Sequence, residues 1–124
     1  MQGGVVFRAA DTLWFLPATI AVKVMPMPDV ASVPGAPPEL CGLALVDGET
    51  LPVVSVGPAP RPSPRVAMIV LAWLGERIGL VGVEVLATGR YALEGDHVSF
   101  SGHAARVFDV GALVAKISAA RWAV

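Results

Sequence analysis

The sequence predicts a mostly β protein that closes with a single helix, and three observations carry that prediction. Valine dominates the apolar positions, and β-branched residues pack well on a pleated surface while losing side-chain freedom in a helix. Short apolar runs recur between turn dipeptides such as Asp47-Gly48 and Ser101-Gly102, the punctuation of hairpins. Only the last segment changes period: Val110, Leu113, Val114 and Ile117 stand at i, i+3, i+4 and i+7, behind an Asp109 placed to cap the first turn.

Taken in order, residues 5–7 and 13–16 are apolar and flank a short polar segment around Asp11, which predicts a first hairpin. In residues 20–24 large apolar side chains fall at every second position, so Lys23 points away from the face carrying Val22 or lies at its rim. Residues 25–38, MPMPDVASVPGAPP, hold five prolines, which remove donors and forbid a regular ladder, so an irregular crossing loop is expected. Strands at 41–46 and 50–56 follow, joined by Asp47-Gly48. Pro52 cannot donate to a ladder, so its strand is an edge, or the residue sits on an unpaired side or at a bulge.

Residues 57–65, GPAPRPSPR, carry proline at every second position from 58 to 64 and predict a stiff, extended connector. It reads as the seam between two halves of one domain spanning 1–124, in preference to a ligand for a proline-binding module. Strands at 66–72 and 77–86 turn at Gly75-Glu76, and shorter ones at 97–100 and 104–108 are bounded by Glu94-Gly95-Asp96 and Ser101-Gly102. Lys116 and Arg121 complement the dipole of the closing helix.

Composition narrows the function. A chain of 124 residues with 55% hydrophobic and only 15% charged residues cannot be a disordered tail, and it is long enough for a core without disulfides or a structural metal. Its apolar surplus points to a protein interface, because soluble monomers seldom leave large apolar patches bare. With 9 basic and 10 acidic residues dispersed along the chain, the basic stripe of a nucleic-acid binder is missing. The longest apolar stretch, residues 66–75, is far short of the roughly 18 residues of a spanning helix, so no membrane insertion is expected. The start, MQGGVVFRAAD, has no basic region followed by an apolar run, which makes the cytoplasm the expected compartment.

Enzyme chemistry finds little material. Cys41 lies in the apolar context CGLALV and reads as a buried structural thiol. His97 and His103 lack a third metal ligand at suitable spacing and read as exposed or satisfied polar side chains. Asp47, Glu49, Glu94 and Asp96 fall in turns, where solvated turn chemistry accounts for them. The glycines form neither a GxxxxGK nor a strand-to-helix GxGxxG, so no nucleotide or other cofactor is expected. The aromatic residues read as core, since a stacking platform for single strands comes with a basic groove.

One order of motifs is specific. VPGAPPELCG at residues 33–42 is followed by a strand into Asp47-Gly48, then LPVVSV at 51–56, ERIGLVGVEV at 76–85 and FDVGALV at 108–114. This resembles the CheW-like domain of bacterial chemosensory systems, whose pattern runs P-x-x-P…G-x-x-x-x-R-G-x-x-x-P-V-x-D-L, then v-G-L-x-V-D-x-V, then L-D-x-x-x-L. Pro37, Gly42, Gly48 and Pro52 match its spacing without gaps. The resemblance implies two SH3-like five-stranded β-barrel lobes packed together, with a short C-terminal helix. It also implies a non-catalytic adaptor that joins the cytoplasmic tips of methyl-accepting chemoreceptors to the regulatory domain of a chemotaxis histidine kinase, recruited to chemosensory arrays.

Departures from the pattern are informative. The family's Arg before the second glycine is Asp47 here, its Asp after P-V-x is Ser55, the Asp of G-L-x-V-D is Val83, and the Glu of V-x-E-V is Lys23. The resemblance places that Glu and that Arg in the receptor-facing region, so two charges there are reversed, through drift or through compensating charges in a partner. The stretch between Val85 and Phe108 is shorter than the family's, which raises a one-sided adaptor, binding a receptor or another CheW-like protein without the kinase. Ala21 and Lys23, Asp47 and Gly48, and Ser55 and Val56 are the expected partner-binding positions, with the glycines and Pro37 shaping backbone turns. From another class, a small ligand-binding β-barrel would require a deep polar pocket with a shifted titrating group.

Overall fold

The computed structural model describes residues 1–36 and 39–122, with side chains as far as Lys116. Pro37 therefore lies outside the described residues, as do the side chains of Ile117 and Arg121. The chain runs through β1 (Gln2–Ala9), β2 (Thr12–Pro17), β3 (Ala21–Met25), β4 (Leu40–Val46), β5 (Glu49–Ser55), β6 (Val66–Trp73), β7 (Glu76–Tyr91), β8 (Leu93–Glu94), β9 (His97–Phe100), β10 (His103–Val107) and α1 (Val110–Trp122). The mostly β class with one closing helix stands as expected.

The strands form one continuous sheet in the order β3-β6-β7-β1-β2-β10-β9-β8, with β5 joined in parallel to β7 and β4 beyond it. β7, 16 residues long, pairs with β6 and β5 over its first half and with β1 over its second. Two halves result, one built on β3, β4, β5 and β6, the other on β1, β2, β8, β9 and β10. The proline-rich connector joins β5 to β6, which share one interior, so the passage between the halves runs along β7 and not through residues 57–65. Nor is the connector straight: the Val66 amide closes a turn onto the Ser63 carbonyl at 3.2 Å.

Side-chain alternation explains the continuous apolar runs. Successive residues of a strand face opposite sides, so a run such as Val5-Val6-Phe7 is buried only where both sides are covered. Val6 faces the interior of one half with Phe15, Val98 and Ala105. Val5 and Phe7 face a central layer with Leu16, Val54, Ile69, Leu71, Leu80 and Val110. Met68 and Val70 face the other half's interior with Leu51, Val53 and Val81, while Ile69 and Leu71 between them turn to the central layer. Two small interiors against one apolar seam are consistent with two barrel lobes packed together.

Local chemistry sets the turns. Asp47 (φ 50°) and Gly48 (φ 80°) have the paired positive φ of a type I′ turn, which matches the twist of the strands it joins. The turn before β7 falls at Leu74 and Gly75 (φ 50° and 82°), one residue earlier than Gly75-Glu76, because the positive-φ pair must sit between Trp73 and Glu76. Pro52 pairs with Leu43, whose own N–H and C=O bond Ala31 at 2.8 Å, and β5 begins pairing with β7 only at Val53. Its missing donor therefore leaves no gap in the ladder. Cys41 is exposed, not buried: β4 alternates regularly, so Cys41 shares the outward face with Leu43 and Leu45 while Gly42, Ala44 and Val46 point in. Asp109 Oδ1 accepts the Ala112 amide at 2.9 Å, the expected helix cap.

Candidate functional site

β3 is where the sheet is open. It pairs with β6 along one edge and stands at the end of the strand order. A bulge between Ala21 and Lys23 breaks its alternation, so Ala21 is buried while Val22 and Val24 are 48% and 37% exposed. Val22, Lys23 and Val24 all lie on the surface.

Beside them runs a groove of about 400 Å³ floored by small residues, Gly3 and Gly4 of β1, Ala18, and Thr88 and Gly89 of β7. Gly4 has to be glycine, since a Cβ there would stand 2.5 Å from the Phe15 ring. At the rim Lys23 Nζ meets Asp47 Oδ2 at 2.9 Å, with the side chains 43% and 66% exposed. The fold therefore gathers Lys23 and Asp47, together with the buried Ala21 that anchors β3 and the Gly48 that shapes the turn.

Ser55 and Val56 line a different groove. It measures about 620 Å³ between the end of β5, β10 and α1, with Trp14, Val56, Phe108 and Leu113 among its apolar walls. Trp14 and Phe108 meet edge to face at 5.3 Å. Two ion pairs stand on its lining, Lys116–Glu39 at 3.3 Å and Arg106–Asp96 at 3.7 Å. Ser55 works internally, its hydroxyl donating to the Gly57 carbonyl at 2.7 Å and its amide to the Glu39 carbonyl at 2.9 Å. Glu39 is held below the ordinary carboxylate range by a hydrogen bond from its own backbone and then by Lys116. Sequence reasoning passed over Val22, Val24 and Glu39. The valines carried a signal, a β-branched pair on a strand beside Lys23, but the bulge that exposes them leaves no mark in the sequence.

Among the described residues no polar or charged side chain is buried, and no three His, Cys, Asp or Glu residues stand together to hold a metal. His97 lies half-exposed, 3.5 Å from Asp96 and 3.8 Å from Glu94. Glu49 pairs with Arg77 at 3.7 Å across the surface. Among the described residues no helix is long and apolar enough to cross a membrane.

The chain is thus a two-part β scaffold with an apolar seam, and its open edge strand lies beside a groove of small residues. The family model of the CheW-like domain matches residues 3–90, and the chain belongs to that family. The match covers β1 to nearly the end of β7 and leaves β8–β10 and α1 outside it. In three dimensions the chain is similar to the crystal structure of scaffolding protein TtCheW from Thermoanaerobacter tengcongensis, with a TM-score of 0.75 and 16% identity over 88% of this chain and 84% of that one. At that identity the likeness is one of fold. No curated protein sequence matches the chain.

Proposed function

We propose that the chain is a non-catalytic adaptor of a bacterial chemosensory pathway, coupling methyl-accepting receptors to a histidine kinase by protein contacts alone. The observation that carries this reading is the groove beside β3, where exposed valines border a glycine-rich floor on a member of the CheW-like family. An apolar strip with a charged rim is the anatomy of a specific but reversible contact. Among the described residues no ionisable side chain is buried, which supports an adaptor over an enzyme. The receptor's cytoplasmic tip is the proposed occupant of the β3 groove, and the kinase regulatory domain, or another CheW-like protein, the proposed second partner. Such a role places the protein in the cytoplasm, at chemosensory arrays, with no cofactor.

Calorimetric titration tests it directly, against a receptor signalling-tip hairpin and separately against the kinase regulatory domain from the same genome. Binding to both establishes coupling. Binding to the receptor tip alone makes the protein a one-sided adaptor, a reading raised by the short stretch between Val85 and Phe108. Binding to neither refutes the proposal.

A further inference from the structure

We propose that Lys23 and Asp47 act as one unit, an ionic latch that fixes the open edge strand β3 to the β4–β5 turn and so holds Val22 and Val24 in position along the groove. This rests on the reading of that groove as the docking site. Three features of the fold lead to it.

First, β3 and β4 are the two ends of the strand order β3-β6-β7-β5-β4, and among the described residues they share no backbone pairing. The gap along β4 is bridged only at Leu43, by Ala31 of the crossing loop. Second, β3 is weakly anchored: it has five residues, one paired edge, a bulge in its middle and exposed side chains at 22, 23 and 24. Such elements open locally at a small fraction of the global unfolding free energy. Third, Asp47 is positioned before it meets Lys23, because its backbone is set by the type I′ turn with Gly48. The 2.9 Å contact, between residues 24 apart in sequence, is therefore a cross-link between a fixed turn and a loose strand. An exposed ion pair contributes little to global stability, yet it acts here on an element with few other restraints.

Lys23 and Asp47 bring opposite charges together, and reversing either one alone would set like charges against each other. The two charges answer each other inside the chain, so a partner meets a locally neutral pair that demands no matching charge. Lys23 and Asp47 are positioning residues for the valines, not the source of specificity by charge.

The test compares Lys23→Asp, Asp47→Asn, Asp47→Lys and the double exchange Lys23→Asp/Asp47→Lys. Asn tolerates positive φ as Asp does, so Asp47→Asn removes the charge while keeping the turn. Amide hydrogen exchange in the free protein reads the latch without any partner. Each single variant is expected to speed exchange across β3 by about two- to fivefold, with β1 and β9 unchanged, and the double exchange to recover most of that loss relative to Asp47→Lys. Unaltered β3 exchange in Lys23→Asp and Asp47→Asn, or a double variant no slower than Asp47→Lys, overturns the latch. Calorimetry with the receptor-tip hairpin reads the rest: singles weaken binding and the double exchange restores it. A double variant that recovers β3 protection but not affinity overturns the claim that partners meet a neutral pair. Failure of the wild type to bind any hairpin would strike the adaptor reading alone, since the exchange experiment decides the latch independently.

Discussion

Truncating the two groove-side valines is the sharpest way to separate docking from folding. Val22 and Val24 are 48% and 37% exposed, so together they leave uncovered a little less than one whole valine side chain. Covering a valine completely is worth about 1.5–2 kcal/mol, and alanine retains part of that surface, so Val22→Ala/Val24→Ala is expected to lose about 1–1.5 kcal/mol of binding. That corresponds to a roughly five- to twelvefold rise in Kd for the receptor-tip hairpin. Thermal stability should hardly move, because neither valine belongs to a buried cluster. Calorimetric titration beside a melting curve checks both numbers. An unchanged Kd with an intact fold would refute the placement of the partner, and a large drop in Tm would show that the valines support the fold, not a contact.

Other outcomes follow from the same geometry. Leu74 is 87% exposed at φ 50°, so Leu74→Asn should stabilise the β6–β7 turn by about 1 kcal/mol, read as a rise of a few degrees in Tm. Asp109→Ala removes the cap on the Ala112 amide and should cost about 1 kcal/mol, seen in urea unfolding and in faster amide exchange in the first turn of α1. Glu39 has a folded-state pKa below its ordinary 4.5, so its contribution is complete above that value and lost as pH falls through the lower folded one. Lys116→Met should raise the Glu39 midpoint in a carboxyl NMR titration without returning it fully, because the backbone hydrogen bond remains.

Strand positions were legible where alternation, turn chemistry and helix period agreed. Asp47-Gly48 announced its hairpin, Pro52 an edge, an unpaired side or a bulge, and Asp109 its cap, because each rests on a local backbone requirement that one or two residues satisfy. Bulges were not legible. The one beside Val22 interrupts the alternation of β3, and a bulge depends on the partner strand's register, which is tertiary information, while Cys41, whose apolar context argued for burial, falls on the outward face of β4. The route between the halves was missed for a related reason: a long strand bent between two sheets leaves no composition signal, whereas a proline-rich segment does. At the site, Lys23 and Asp47 stood out as charges at unexpected positions, but only the closing of the sheet reveals that they answer each other.

The central claim is that a receptor tip docks along the groove beside β3. Amide chemical-shift mapping of the labelled protein, titrated with a receptor-tip hairpin, tests it most directly. Shifts concentrated at Val22, Lys23 and Val24, at Gly3 and Gly4, and at Thr88 and Gly89 are the expected result. Shifts confined to the groove between β5, β10 and α1, or no shifts at saturating hairpin, would contradict it.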